Sequence, residues 1–317
     1  MAPGRNGAPD LTQSRPRILV VGGTGFIGTH VVSHAVSLGW NVCSLSVQSS
    51  GRHLPSEVRT ITADITSSRE LREKLGTGAF DYVVNCGGYI DHARFFSGGR
   101  RLIDAHFDGA LNLIESLDRD VLKAFVNIGS SDEYGNNAAP QLETQRESPI
   151  SPYSCGKIAL THLLQMLHST EGFPSTTLRF FLVYGPGQDD RRFLPQIIKG
   201  CLDGQVFPTS HGEQFRDFCF VQDAVRAIFL ALECKPAAGQ VINIGSGNPV
   251  AIRQMIEMVR GIVGRGSPQY GKIPYRTGEN MSLYPDISKA RSLLHWEPLV
   301  DLNAGLVRTI DWYREPT

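Results

Sequence analysis

A chain of 317 residues is long enough to bury a sizeable core and to form one large or two modest domains. Its 31 Lys plus Arg balance 31 Asp plus Glu, so no net field points to nucleic acid or an anionic membrane as a partner, although a local basic pocket for a phosphorylated small molecule stays open. Six cysteines, Cys43, Cys86, Cys155, Cys201, Cys219 and Cys234, are scattered without a C-x-x-C pair or metal-ligand spacing, which fits a reduced, cytoplasmic compartment. No apolar run approaches the roughly 20 residues needed to span a bilayer. The first residues also lack the apolar stretch of a signal peptide, and residues 1–15 read as a disordered tail.

The elements then follow in chain order. "RILVV" (17–21) is a β-branched apolar run, and "FIGTHVVSHAVSLG" carries apolar residues at helical spacing until Gly39 stops it. The pattern recurs with "NVCSLS" as a second strand, "RTITADI" as a third, "SRELREKLG" as a helix and "DYVVNCGG" as a fourth strand. A long helix over about 101–117, a fifth strand in "KAFVNIGS", a helix over 152–170 and a sixth strand in "STTLRFFLVYG" complete the series. Strands alternating with helices predict βαβ units and a parallel sheet covered on both faces.

Beyond Tyr184 the segments shorten and glycine and proline become frequent. Helices are expected near 222–233, 252–263 and 288–294, with one strand-like insert, "QVINIG". The reading is a cofactor domain over 16–185, with segments near 217–247 returning to it, and a smaller cap made mainly of 186–317.

Three motifs carry chemistry. The first turn, "VVGGTGFIG", spaces Gly22, Gly25 and Gly28 between strand and helix. Glycines there let the backbone approach a pyrophosphate, whose charge is met by N–H groups at the helix N-terminus, with Phe26 and Ile27 in the first helical turn. A tight structural turn is the plainer alternative. At the end of the second strand, near Ser46, no acid is present to bind a ribose 2′-hydroxyl, and Arg52 follows six residues on. Hydroxyls and an arginine suit a 2′-phosphate, so NADP(H) is favoured and NAD(H) remains possible. Asp64, with Ile65 beside it, ends the third strand and is placed to contact an adenine; it serves equally as a helix N-cap. Cys86 and Gly87 at the end of the fourth strand complete the cofactor set.

In "SPYSCGK", Ser151 is a good N-cap and Pro152 a favoured first helical residue. Tyr153 and Lys157 then stand at i and i+4 on one face. An adjacent ammonium and the positive helix end both favour a phenolate, tuning the tyrosine for proton transfer. The spacing alone is common. A serine at the end of the preceding strand, in "NIGSSDEYG", adds a donor to the oxygen that Tyr153 would protonate.

With "GGTGFIG", "VVNCGG", "NIGSSDEYG" and "SPYSCGK" in that order, the chain resembles the extended short-chain dehydrogenase/reductases that modify nucleotide sugars, over residues 17 to about 310. The resemblance implies a Rossmann-like doubly wound α/β fold with a substrate-binding cap, and Ser130, Tyr153 and Lys157 as catalytic residues, Lys157 also holding the nicotinamide ribose. Aligning Tyr134 and Gly135 with the family's Tyr-Gly selects Ser130 over Ser131. In that register, the Asp-Glu pair of the dehydratases falls on Ser131 and Asp132, which makes dehydration less expected. The nearest local likeness is to 4-keto-6-deoxy nucleotide-sugar reductases of the GDP-4-keto-6-deoxymannose reductase and CDP-paratose or CDP-abequose synthase kinds.

The expected activity is therefore NAD(P)H-dependent reduction of the C4 ketone of a nucleotide-linked 4-ketohexose. A C4 epimerase is the alternative, a 4,6-dehydratase less so, and a cofactor-sensing regulator is the non-enzymatic reading. Arg216 and Arg276 match family positions that grip the nucleotide diphosphate, a task suited to bidentate donors. Ser131, Asp132, Arg191 and Arg192 are further substrate candidates. Leu182 stands where many members carry an asparagine. His92, Arg94 and His106 match no motif. The family commonly dimerises through its helices near 101–117 and 152–170, so a homodimer is expected.

Overall fold

The computed structural model describes residues 15–48, 54–91, 93–275 and 278–315. In the first strand, β1 (Arg17–Val21), Ile18 and Val20 face one apolar cluster while Leu19 and Val21 face another. Alternate side chains of a strand point to opposite faces, so a run apolar at every position belongs to a sheet covered twice. Strands β2 (Asn41–Ser46), β3 (Arg59–Thr62), β4 (Tyr82–Asn85), β5 (Ala124–Ser130) and β6 (Ser175–Phe180) join it with parallel pairing throughout. The sheet has seven strands, in the order Val241–Ile244, β6, β5, β4, β1, β2, β3. The direction of winding reverses between β1 and β4. In an open parallel sheet, the crevice beyond the carboxyl ends of the strands at that reversal is where ligands bind.

One face is covered by helix α1 (Phe26–Ser37) with the helices Val221–Glu233 and Ser288–Leu294, through Val31, Val32, Ala224, Ile228 and Leu294. The other is covered by α2 (Ser68–Leu75), a helical run over 100–115 and the helix Pro152–Glu171, through Leu71, Leu113, Leu160 and Leu164. The helix Pro152–Glu171 begins as its sequence predicts, because the Ser151 hydroxyl accepts from Ser154 N at 3.1 Å and Pro152 occupies the first turn. The run over 100–115 departs from expectation: a π-helical turn, Asp104–Asp108, interrupts it.

Strand six also differs from its sequence reading. "STTLRFFLVYG" breaks at Phe181, whose N–H still bonds Ile244 O at 3.0 Å, whereas Leu182 N bonds Asp217 O at 3.1 Å. Leu182–Tyr184 thereby leaves the large sheet and pairs in parallel with Phe218–Phe220. The insert "QVINIG" becomes the seventh strand of the large sheet, beside β6.

A third apolar cluster lies beyond the sheet, where Leu194, Ile198, Ile252, Met255, Val259, Leu306 and Ile310 pack together. Two of its helices, Phe193–Leu202 and Leu302–Arg314, were not expected from sequence. In the first, Pro195 hides the pattern, although proline is tolerated in an opening turn where its missing N–H has no partner to lose. The second is capped by Asp301, which accepts from Ala304 N at 2.9 Å. Asp223, in "VQDAVRA", ties that region to the sheet: its carboxylate accepts from Leu299 N at 3.0 Å and Val300 N at 2.9 Å.

Candidate active site

The glycine turn after β1 is built so that backbone alone fills the space. Gly22 adopts a left-handed φ of 73°, and a Cβ there would lie 2.8 Å from Cys86 O. A Cβ on Gly28 would meet Gly22 O at 2.1 Å. The N-terminus of α1 follows at Gly25, with no side-chain cap and no acid in its first turn, so its free N–H groups face the crevice. Ser46, at the end of β2, accepts from Thr24 N at 3.3 Å and closes the side of the turn. These features fit a dinucleotide pyrophosphate and the adenosine end of such a cofactor.

Other cofactor candidates gather on the same edge. Gly87 N donates to Asn85 Oδ1 at 3.2 Å, and Asn85 Nδ2 bonds the Asn127 Oδ1 of β5 at 3.1 Å. A Cβ on Gly87 would meet Val21 Cγ1 at 2.9 Å, so β1 and β4 end in close contact. Ile65 is buried and packs where Gly109 leaves room. The Cys86 thiol is pushed up to about 12 by burial, against the pull of Lys157, and is held protonated. Asp64 is exposed, and its carboxylate accepts from Thr66 N at 2.9 Å and Thr66 Oγ1 at 2.8 Å. The N-cap of α2 is Ser67, not Asp64. Arg52 lies outside the described residues.

Ser130, Tyr153 and Lys157 meet beside this crevice. Lys157 is buried, donates to Ile128 O at 2.7 Å and has its Nζ 5.9 Å from the centre of the Tyr153 ring. Burial brings the Lys157 ammonium down to about 8, with Glu133 and Cys86 opposing. Tyr153 is only 4% exposed and hydrogen-bonds Ser130. Burial raises the phenol above its ordinary value, a hydrogen bond from Ser130 opposes this, Asp132 and Glu133 reinforce it, and Arg192 opposes it. Desolvation is the largest of these, so burial favours the protonated phenol.

The two carboxylates after Ser131 have separate environments. Glu133 is fully buried and accepts from Ser130 N at 2.8 Å, Thr161 Oγ1 at 3.0 Å and Arg179 Nε at 2.9 Å. Arg179 also pairs with Glu147 and lies 4.7 Å from the centre of the Tyr134 ring. Glu133 is thus committed to holding the loop that carries Ser130, whose own hydroxyl accepts from Asp132 N at 3.2 Å. Asp132 is half-buried within electrostatic reach of Tyr153, and Ser131 is buried.

The arginine candidates separate. Arg192 is half-buried and its charge reaches Tyr153. Arg191 has a side chain 89% exposed and forms a two-pronged pair with Asp189 at 2.7 Å and 3.0 Å. Arg216 is paired with Glu279 and donates to Phe215 O at 2.8 Å. Leu182 is partly exposed at the start of its short strand. Arg276 and His92 lie outside the described residues. Sequence reading missed Arg179 and Glu133 as a pair. An arginine within the apolar strand "TLRFF" was the available signal, because a charge inside a buried strand needs a partner. His106 packs directly on Tyr153, with ring centres 4.9 Å apart, and nothing in its sequence surroundings announced that.

A glycine-turn Rossmann fold with a Ser, Tyr and Lys set at its sheet edge defines a nicotinamide-dependent short-chain dehydrogenase/reductase. The chain matches the NAD dependent epimerase/dehydratase family over residues 18–245 and belongs to it, as one of the extended members of that class. It is 30% identical to a dTDP-glucose 4,6-dehydratase of Xanthomonas campestris pv. campestris, over 93% of this chain and 92% of that one. Among solved structures, it is similar to a UDP-glucose 4-epimerase from Thermotoga maritima with UDP-glucose, at a TM-score of 0.88 and 30% identity, covering 94% of this chain and 98% of that one. It is also similar to MoeE5 in complex with UDP-glucuronic acid and NAD, at a TM-score of 0.84 and 28% identity, covering 94% and 99%. Among the described residues, no helix is long and apolar enough to cross a membrane, and no group of three or more His, Cys, Asp or Glu is placed to hold a metal ion.

Proposed function

We propose that this protein is an NAD-dependent C4 epimerase of a nucleotide-linked hexose. The observation that carries the reading is the state of the site: Ser130, Tyr153 and Lys157 converge at the sheet edge, while Glu133 is bound to Arg179 and Ser130 N. Chemistry at C4 needs one proton-transfer group beside the cofactor. Elimination of water across C5 and C6 needs a further acid and base: Ser131 stands in the place of one of them, which leaves Asp132 alone, and Glu133 is committed to Arg179 and Ser130 N. The likeness to a UDP-glucose 4-epimerase supports the same conclusion.

A nicotinamide held against this edge supplies the acceptor and donor of hydride. The N–H groups of the turn at Gly22, Gly25 and Gly28, with Ser46, Asp64 and Lys157, are the residues proposed to hold the cofactor. For epimerisation Tyr153 would first release its phenol proton to solvent; as the phenolate it would take the proton of the C4 hydroxyl when that carbon is oxidised, and return it to the oxygen when the carbon is reduced from the other face. Ser130 hydrogen-bonds the same oxygen, and Lys157 keeps positive charge near the phenol. Arg192, Arg216, Arg276, Ser131 and Asp132 are proposed to face the nucleotide sugar, with the cap over 186–317 as its main seat. NAD is preferred to NADP here because the family description and the NAD complex of MoeE5 support it, against an argument for NADP drawn from the missing acid and the hydroxyls near Ser46 together with Arg52. Self-association through the faces near 101–117 and 152–170 completes the proposal, and light scattering tests it.

The burial that raises the Tyr153 phenol favours a second reading, reduction of a 4-ketohexose, in which the tyrosine begins as the proton donor. Cofactor stoichiometry decides between them. Incubated with UDP-glucose and NAD, an epimerase forms the C4 isomer with no accumulation of reduced nicotinamide. Consumption of one reduced cofactor per 4-keto sugar converted, without isomerisation of UDP-glucose, would establish the reductase.

A further inference from the structure

His106 sits at a junction that the proposed chemistry has not used. The π turn Asp104–Asp108 places it on the inner side of the run over 100–115, where it is 4% exposed. Single π turns inside α-helices frequently mark functional positions, because the extra residue re-aims a side chain. The imidazole meets the Tyr153 ring edge to face, with centres 4.9 Å apart and planes at 83°. Its Nε2 lies 2.8 Å from Tyr89 O. A carbonyl only accepts, so Nε2 carries the proton.

The surrounding backbone is shaped to this ring. Gly88 has a φ of 102°, and a Cβ there would fall 2.1 Å from His106 Cε1. Gly156, one residue before Lys157, would bring a Cβ to 3.3 Å from His106 Cβ. Three segments therefore close on one side chain: the loop after β4, the π turn and the first turns of the helix Pro152–Glu171. Burial and the nearby Lys157 ammonium bring the imidazole down to about 3, against the pull of its bond to Tyr89, so it stays neutral at working pH and is not a proton carrier.

We propose that His106 is a positioning residue whose ring, pressed edge-on against Tyr153, holds the phenol in the orientation for proton transfer at C4. The inference rests on Tyr153 being the proton-transfer group. Displacement of a reacting group by about 1 Å is enough to cost roughly a hundredfold in rate. Such a loss falls on kcat, because the ring meets the proton-transfer group itself.

The test compares His106→Leu, which fills the space without a ring, with His106→Phe, which restores the ring contact but not the N–H. Both are purified as folded protein, and kcat and KM for UDP-glucose are measured with saturating NAD. The Leu variant should lose roughly tenfold to a hundredfold in kcat, with KM little changed, and the Phe variant should recover most of that loss. Equal kcat in the two variants overturns the proposal, because a role in folding or in the Tyr89 bond treats both alike. Tyr153→Phe in the same assay keeps the questions apart. If it retains turnover, the C4 reading fails; if it is inactive while both His106 variants match the unmodified protein, only the role of His106 fails.

Discussion

The sheet edge before Tyr184 and the cap after it hold their functional side chains in different ways. At the sheet edge, Lys157 is fixed by Ile128 O and the Ser130 loop by Glu133, each buried and close to a strand end. In the cap, Arg216 is met by Glu279 and Arg191 by its own neighbour Asp189, on short strands and loops. On the proposed reading, rigid burial at the edge sets reacting geometry, whereas the region after Tyr184 offers charges whose partners a substrate would replace. Substitutions at the edge should therefore lower kcat or stability, and those in the cap should act on KM.

The largest effect tests the edge itself. Tyr153→Phe should lose about a thousandfold in kcat and still bind NAD, as followed by fluorescence titration; comparable turnover would remove the distinction between edge and cap. Next comes Arg179→Met, which leaves Glu133 buried without its cation. Denaturant unfolding should show a loss of about 3–5 kcal/mol, and adding Glu133→Gln should recover part of it, since an orphaned buried charge is costlier than an absent pair. An unchanged midpoint would place the Ser130 loop outside the rigid region.

A third effect depends on pH. The folded value of His106 is lowered to about 3 from an unfolded 6.5. The unfolded chain therefore takes up this proton first as pH falls. Stability contributed by the neutral ring is complete above about 6.5 and is lost towards pH 3, at up to about 1.4 kcal/mol per pH unit. Urea unfolding at stepped pH should show a shallower acid limb in His106→Phe than in the unmodified protein, and parallel limbs would contradict this. The smallest effects lie in the cap. Arg192→Ala should raise KM by roughly tenfold, as expected for one lost charge-assisted contact, while Arg191→Ala should leave both KM and stability within error, as for other exposed sites.

The same contrast explains what the sequence disclosed. The glycine turn, the Ser151 cap and the strand-end serine obey local rules, so their residues announce their positions. Arg216 needs Glu279, 63 residues away, and Asn243 bonds Gln141 O, 102 residues away, and no local spacing encodes such pairs. The π turn at His106 and the switch of strand six between sheets belong with these, because each is set by packing rather than by propensity. Even at the edge, only part of what acts on the Tyr153 phenol is legible. Helix position and a nearby lysine are visible in sequence, but the depth of burial that opposes them is not.

The central claim is that hydrogen leaves C4 and returns to the same carbon. Incubating UDP-glucose deuterated at C4 with the protein and NAD, then reading the product by NMR, follows that hydrogen directly. The account predicts a C4 isomer that keeps its deuterium at C4, whereas deuterium found at C6 of a dehydrated product, or no inversion at C4, would contradict it.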